Sequence, residues 1–421
     1  MANDTTRVLY LKQRFDPEPA PLRGAAFTSA MRDHGVEITV LTGFPYYPQP
    51  TIYPGYKNRL RAVEVLDGTT VHRSASVVGH TPSSVRRLLS YVTMPAISTV
   101  NAVARNLDAD LVLTTLGPGV YAHFAMLLAR RIGVPSVLEI QDLWPESLTA
   151  SGMWPRHLPL FAIEAAMGFA YRHASAITCL SPGCRQAVIE RGAPERSTVS
   201  MLNWAPPVVV TRSDTDRARK LLGPWADTPF ICYAGSLGPL QGVERMCDAA
   251  AQANTHLVVL GDGREASALR EHAQRTDAPV RFVGQQPVGV AQAVLEQAAS
   301  STVYLEASDL DQTAIPSKIA ANVAAGVPMV VAANGETHRL AERIAAGPQC
   351  SPGDTGALAS CFREVINASA EQRARWIRNA NAFAADAVHP KHGLARYATL
   401  LHAVANEAPL RNLVDHDGAL V

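Results

Sequence analysis

A chain of 421 residues, 47% hydrophobic and 18% charged, is too long for one compact core and has the composition of a soluble globular protein of two to three domains. Its formal net charge of +1 argues against disorder and against nucleic-acid binding through bulk charge. The six cysteines (Cys179, Cys184, Cys232, Cys247, Cys350 and Cys361) form neither a CxxC pair nor a finger-like metal spacing, and read as small buried hydrophobes.

The opening "MANDTTRVLYLKQRF" has no apolar signal core, and no apolar run reaches the roughly 18 to 20 residues of a membrane span. A cytoplasmic location is expected. "RVLYL" reads as a strand and Arg23 to Gly35 has helical spacing. "EITVLT" is the next strand, Glu37 to Thr42. "SSVRRLLSY" sets Arg86 and Arg87 beside apolar residues; peripheral contact with the inner membrane face and packing inside the domain are both open readings. "DLVLTT" and "PSVLEI" then flank "GVYAHFAMLLARRIG", and "SAITCL" and "STVSML" continue the alternation. Apolar strands separated by helices of about a dozen residues predict a parallel sheet covered on both faces.

From Asn203 to Thr228 the alternation stops in a polar, proline-bearing stretch that reads as the domain linker. It resumes with "FICYAG", "THLVVLGDG", "VRFVG", "STVYLEAS" and "PMVVAA", each followed by a helical stretch, which predicts a second parallel sheet. Near the end, "PKHGLARYATLLHAVA" spaces Leu394, Tyr397, Leu400 and Leu401 as one helix face, predicted to return to the first domain. The expected division is therefore residues 1–205, with a helix at 388–410 packing back on it, and residues 206–387. The fold class is α/β, with two doubly wound domains facing a cleft. Ligands of such sheets sit beyond the strand carboxyl ends, often against helix N-termini.

Several short motifs follow one another in a fixed order. "KQRFDPEPAPLRGAAFTSAMRDHGVEITVLTGFPYYP" comes first, then "IQDLWPES", "LNWAPP", "YAGSLGPLQGVERM", "VVLGDG" and "IPSKIAANVAAGVP". The ordered set, covering residues 7 to 345, closely resembles glycosyltransferases of family four with the GT-B fold, most of all the bacterial group that transfers amino and deoxy sugars. The resemblance implies transfer of a sugar from a nucleoside diphosphate donor, UDP- or GDP-linked, to a small or lipid-linked acceptor. The accepting atom would be a hydroxyl, amine or thiol, in natural-product or cell-surface glycan synthesis. The nucleotide sugar is a co-substrate, so no cofactor is expected. No metal is expected either, because no Asp-x-Asp is placed to hold one; "DLD" at Asp309 to Asp311 is a weak exception. No nucleic-acid partner is implied, and a homodimer stays open.

On the donor side, Gly24 stands where a helix follows a strand, so its N–H can approach a diphosphate. Where the family often carries an arginine and a lysine on the diphosphate, this chain has Ser236 and Gln241. Lys318, in the first turn of a helix after Ser317, then becomes the candidate for the phosphate charge, since a cation at that helix end needs an anion to favour it. Gly261 and Gly263 end a strand; the plain alternative is a turn with Asp262 as helix cap. The family's two glutamates, eight residues apart, fall on Thr313 and Ala321. Asp309 or Asp311 would then face the sugar and Asn322 a ribose hydroxyl.

On the acceptor side, Asp142 in "EIQDLWPES" is the candidate to orient or deprotonate the acceptor, with Glu139 and Glu146 nearby; a loop aspartate bonding its own backbone is the plain alternative. Arg23, Tyr46 and Trp144 are assigned to the acceptor wall, with Tyr47 beside them, although aromatics in such loops are as often packing. His123 reads as a satisfied core histidine. Two functions of other classes compete: an epimerase or isomerase of nucleotide sugars, and a non-catalytic sugar-nucleotide sensor, which the lost glutamates make conceivable. Turnover with and without an acceptor separates the three.

Overall fold

The computed structural model describes residues 5–18, 23–47, 51–77, 84–116, 119–150, 161–415 and 417–420. The chain divides into two compact units. One holds the chain up to Ser147, the stretch that ends at Leu202 and everything from Lys391 on; the other holds Asn203–Pro390 with a short piece that opens at Leu148.

The first unit is built on an eight-stranded sheet: β1 (Thr6–Leu11), β2 (Val36–Gly43), β3 (Arg61–Leu66), β4 (Thr69–Ser74), β5 (Leu111–Leu116), β6 (Ser136–Ile140), β7 (Ala176–Cys179) and β8 (Thr198–Ser200). Their order is β3-β4-β2-β1-β5-β6-β7-β8. Every neighbouring pair is parallel except β3 with β4. The central strands bear helices on both faces, which is why β6 is buried at every position and reads as one continuous apolar run. On one face Leu9, Leu11, Leu41 and Val112 pack with Tyr121, Ala125 and Leu128 of the helix Val120–Ile132. Burying each such leucine stabilises the unit by roughly 1.5–3 kcal/mol.

The order reverses between β1 and β5. Chain segments leave the sheet in opposite directions there, and a crevice opens at the strand carboxyl ends. The helix Pro390–Ala405 belongs to this unit: Tyr397, Leu400 and Leu401 are buried and Leu394 half-buried. His402 Nε2 donates to the His34 carbonyl at 2.9 Å, which leaves Nδ1 to accept from Thr6 Oγ1 at 2.7 Å.

The second unit carries a six-stranded, fully parallel sheet: β9 (Phe230–Ala234), β10 (His256–Leu260), β11 (Val280–Gly284), β12 (Ser300–Tyr304), β13 (Met329–Ala332) and β14 (Gln349–Cys350), in the order β11-β10-β9-β12-β13-β14. Here the order reverses between β9 and β12, so the crevice lies beyond Ala234 and Tyr304.

One expectation needs correction, and one element was not foreseen. The stretch Asn203 to Thr228 is not a plain linker: it contains the helix Arg212–Leu222. Thr211 caps that helix, accepting from Asp214 N while the Asp214 carboxylate accepts from Thr211 N, and Ala218 and Leu222 are buried against Phe230, Cys232 and Val258. Its apolar stripe is so narrow that the segment reads as polar. The β3–β4 hairpin was also unforeseen. Its turn, Asp67-Gly68, takes positive φ at both residues (46° and 76°), as a two-residue type I′ hairpin requires. All six cysteines are free and buried. Among the described residues, no helix is long and apolar enough to cross a membrane. The side chains of Arg86 and Arg87 lie outside those described.

Candidate functional site

In the second unit the site forms where β9 and β12 end. Tyr233 is buried in β9 and its hydroxyl donates to the Ser236 carbonyl at 2.7 Å, fixing the loop that follows the strand. Lys318 opens the helix Lys318–Ala324, and its Nζ donates to that same hydroxyl at 2.9 Å while standing 4.2 Å from the ring centre. A Cβ on Gly235 would come within 3.0 Å of the ammonium, so the lysine fills the space this glycine leaves. No carboxylate pairs with Lys318 among the described residues. Its side chain as a whole is half-buried but the ammonium end is enclosed, and this lost hydration pushes its pKa down to about 7.

Gly261 and Gly263 join the site through the backbone. A Cβ on Gly261 would lie 1.8 Å from the Gly235 carbonyl oxygen, and one on Gly263 2.2 Å from that of Leu237. Leu237 N donates to the Asp262 carbonyl at 3.0 Å, so the two loops are zipped together and side chains there would part them. Asp262 is not a helix cap, because the following helix begins at Ala266; its carboxylate accepts from Gly263 N at 2.8 Å. Ser236 is exposed and Gln241 half-buried on the same loop. Thr313 Oγ1 donates to the Leu310 carbonyl at 3.2 Å. Ser317 is exposed at the helix start with no capping bond from its side chain, and Asn322, one turn past Lys318, is 4% exposed.

The two replacement acids separate. Asp311 is held at both oxygens, by Ser308 N at 3.1 Å and Asn334 Nδ2 at 3.0 Å, and works as a loop clamp. Asp309 is exposed and stays available.

In the first unit, Gly24 sits at the N-cap of the helix Ala25–Arg32. That helix end already holds an anion, since Asp16 Oδ2 accepts from Ala25 N at 2.7 Å. Arg23 is not a wall residue. It is 3% exposed, locked to the buried Glu139 through Nε at 2.9 Å and also through Nη2, with its guanidinium 5.0 Å from the Tyr397 ring centre. Glu139 further accepts from Thr115 Oγ1 at 2.9 Å and Gln141 Nε2 at 2.9 Å. Lys12, just past β1, donates to the Arg23 carbonyl at 2.6 Å.

Asp142 is exposed two residues past β6, and the surrounding protein raises its carboxyl above the usual range, an effect its exposure limits. Trp144 is half-buried against an apolar cluster, and its carbonyl accepts from Arg191 Nη1 at 3.0 Å; Arg191 is also paired with Glu146. Tyr46 and Tyr47 are half-buried, with both amides donating to Glu18 Oε1 at 2.8 and 2.7 Å. His123 is half-buried rather than core, with Nδ1 3.1 Å from the Gly119 carbonyl and its ring stacked on Phe169.

Neither Lys12, Arg14 nor Tyr233 stands out in the sequence as a site residue. Lys12 carried a signal, a cation directly after the β1 run, whereas Tyr233 reads as strand core.

Comparison with known proteins follows this division. Residues 25–204 match the family described as Glycosyl transferase 4-like domain, and residues 228–368 the family Glycosyl transferases group 1. The putative colanic acid biosynthesis glycosyl transferase WcaI of Escherichia coli K12 is 24% identical over 346 residues, which is 79% of this chain and 84% of that one. A GDP-mannose-dependent alpha-mannosyltransferase of Mycobacterium tuberculosis is 28% identical over 220 residues, 50% of this chain and 52% of that one. Among solved structures, sucrose-phosphate synthase from Thermosynechococcus elongatus superposes with a TM-score of 0.72 at 15% identity, covering 96% of this chain and all of that one. Anabaena HepE in complex with UDP-glucose does so at 0.66 and 17%, covering 94% and 98%.

Proposed function

This chain belongs to the family-four glycosyltransferases of GT-B fold, and on that premise we propose that it moves a sugar from UDP or GDP to an acceptor hydroxyl, amine or thiol. The second unit supplies the donor groups and the first the acceptor groups. The observation that carries this reading is Lys318: a cation enclosed at the carboxyl edge of β9 and β12, bonded to a phenol at 2.9 Å and paired with no carboxylate among the described residues.

In the proposed reaction the acceptor atom bonds to the anomeric carbon as that carbon's bond to the diphosphate oxygen breaks. The nucleoside diphosphate leaves with the electron pair, and Lys318 meets the charge that develops on it. The acceptor proton passes to Asp142, which is exposed two residues past β6 and so open to an acceptor. Gly261, Gly263, Ser236 and Gln241 hold the loops around the diphosphate, Thr313, Ser317 and Asn322 face sugar or ribose, and Tyr46 and Trp144 line the acceptor. The Asp16 carboxylate at the helix end beside Gly24 weighs against a phosphate there. HepE is complexed with UDP-glucose and the mycobacterial relative is named for GDP-mannose, so both bases are candidates. The name of WcaI supports a role in surface glycan synthesis, where a lipid-linked acceptor would bring the enzyme to the cytoplasmic membrane face.

A thermal-shift panel tests this. UDP or GDP should raise the melting temperature well above UMP or GMP, because ligand stabilisation grows as RT ln(1 + [L]/Kd). Equal shifts from mono- and diphosphates would remove the diphosphate site.

A further inference from the structure

The amino edge of the first sheet holds a cavity of about 760 Å³. Among its lining residues, Pro135, Ser175 and Ser197 stand immediately before β6, β7 and β8. The crevice used in glycosyl transfer opens at the opposite ends of these strands. β6 is five residues long, which separates the two edges by roughly 15 Å at about 3.3 Å per residue. The cavity is therefore no part of the transfer site.

Its lining divides into apolar and cationic parts. Val404 and Leu410, each 6% exposed, give it an apolar floor. Arg130, Arg196 and Arg411 line the same cavity from three distant parts of the sequence. All three are exposed, and their guanidinium groups have no hydrogen-bond or ion-pair partner among the described residues. Arg130 lies in the last turn of the helix Val120–Ile132, where the dipole favours a cation, but Arg131 beside it meets that need equally. Arg196 and Arg411 sit on the 3-10 turns Glu195–Ser197 and Leu410–Asn412, each three residues long and too short to build such a dipole. Glu407 is the single carboxylate lining the cavity among the described residues, and Glu195 pairs with Arg185 at 3.5 Å instead.

Three guanidiniums against one carboxylate leave two positive charges unanswered around one enclosure, and they repel until an anion lies among them. The planar fork of an arginine matches the oxygens of a phosphate. The volume exceeds what a bare phosphate fills and falls in the range of about 300–1,000 Å³ typical of small-molecule sites. An organic body can then rest on Val404 and Leu410 while its phosphate meets the arginines.

We propose that this cavity binds an organic phosphate that is neither the donor nor the acceptor of the transfer reaction. The phosphate is carried either by a soluble metabolite or by the headgroup of an anionic lipid.

The test titrates the full chain at 0.15 M salt with two probes that share one headgroup: glycerol 3-phosphate in solution, read by calorimetry, and phosphatidic acid in phosphatidylcholine vesicles, read by co-sedimentation. At least one should bind. Arg130→Gln, Arg196→Gln and Arg411→Gln should each weaken it by about 3- to 10-fold, the low end for charged hydrogen bonds because all three side chains are exposed, and the triple variant should abolish it. Glu407→Gln removes the one like charge and should tighten binding by about 2- to 5-fold. Lys318→Met, in the other unit, and Arg131→Gln, outside the cavity lining, should leave it unchanged. The probe whose binding the triple variant loses names the source. Binding of neither probe, equal affinity in the triple variant, or a loss in Arg131→Gln as large as in Arg130→Gln overturns the proposal; the last result would mean that only general surface charge attracts the anion.

Discussion

Arg23 and Lys318 stand at equivalent places, each near the carboxyl edge of a parallel sheet beside the first turn of a helix, and each against a tyrosine. Arg23 has Glu139, buried with it and held in turn by Thr115 and Gln141, so its charge is answered within the protein. Lys318 has a phenol at 2.9 Å and lost hydration. A cation with a built-in counterion keeps the chain in shape, whereas one without awaits a ligand's charge. The difference separates scaffold from site although both residues look alike in sequence.

Substitutions at either residue's surroundings test this difference. Glu139→Ala removes only one partner of a buried pair and should destabilise the first unit by about 3–5 kcal/mol, read by urea unfolding. A loss under about 1 kcal/mol, the range of exposed pairs, would place Arg23 in solvent's reach. Lys318→Ala should leave stability nearly intact but cut turnover by about 10²- to 10³-fold, the range for one preorganised charge-stabilising group. Donor KM should change less, since the group acts mainly on charge that appears in the transition state. Near-normal turnover would hand the diphosphate to another residue.

A finer cut comes from Tyr233→Phe. It deletes one hydrogen bond from Lys318 and one to Ser236 while keeping the ring; only the first bears on the ammonium, so turnover should fall by about 2- to 10-fold, as for one ordinary hydrogen bond. No change would show that the phenol does not position the ammonium. The smallest effect belongs to Ala321→Glu, which restores the acid usual in this family. Activity should not rise, because the half-buried position sits in a site arranged around its absence; a clear gain would show that the lost acid was the limiting group.

Why some of this was legible in the sequence and some was not has physical reasons. The strands flanking both crevices are covered on two faces, so "RVLYL", "PSVLEI" and "FICYAG" are continuous apolar runs that helices interrupt. β3 escaped because its Val63 and Val65 are exposed at the sheet edge, which leaves an alternating, half-charged pattern; the Asp-Gly turn was the usable signal. The helix Arg212–Leu222 escaped because only two of its residues are buried. Lys318 was legible as a cation at a helix start. The burial of Arg23 was not, because its partner lies 116 residues away and a lone arginine reads as surface. The clamp on Asp311 likewise depends on Asn334, which comes near only through the fold.

If Lys318 awaits the diphosphate charge, nucleotide binding must carry a proton with it. With its pKa pushed down to about 7, the ε-amino group of Lys318 in the ligand-free protein is mostly neutral at pH 8 and mostly charged at pH 6. A bound diphosphate favours the charged form, so binding at pH 8 must draw in a proton, and the uptake must fade as pH falls below 7. Calorimetry of UDP or GDP in buffers of different ionisation enthalpy, for the wild type and Lys318→Met, reads that proton. The expected result is an uptake approaching one proton at pH 8 that the variant lacks. Equal proton counts in the two proteins at pH 8 would contradict the assignment of Lys318 to the diphosphate.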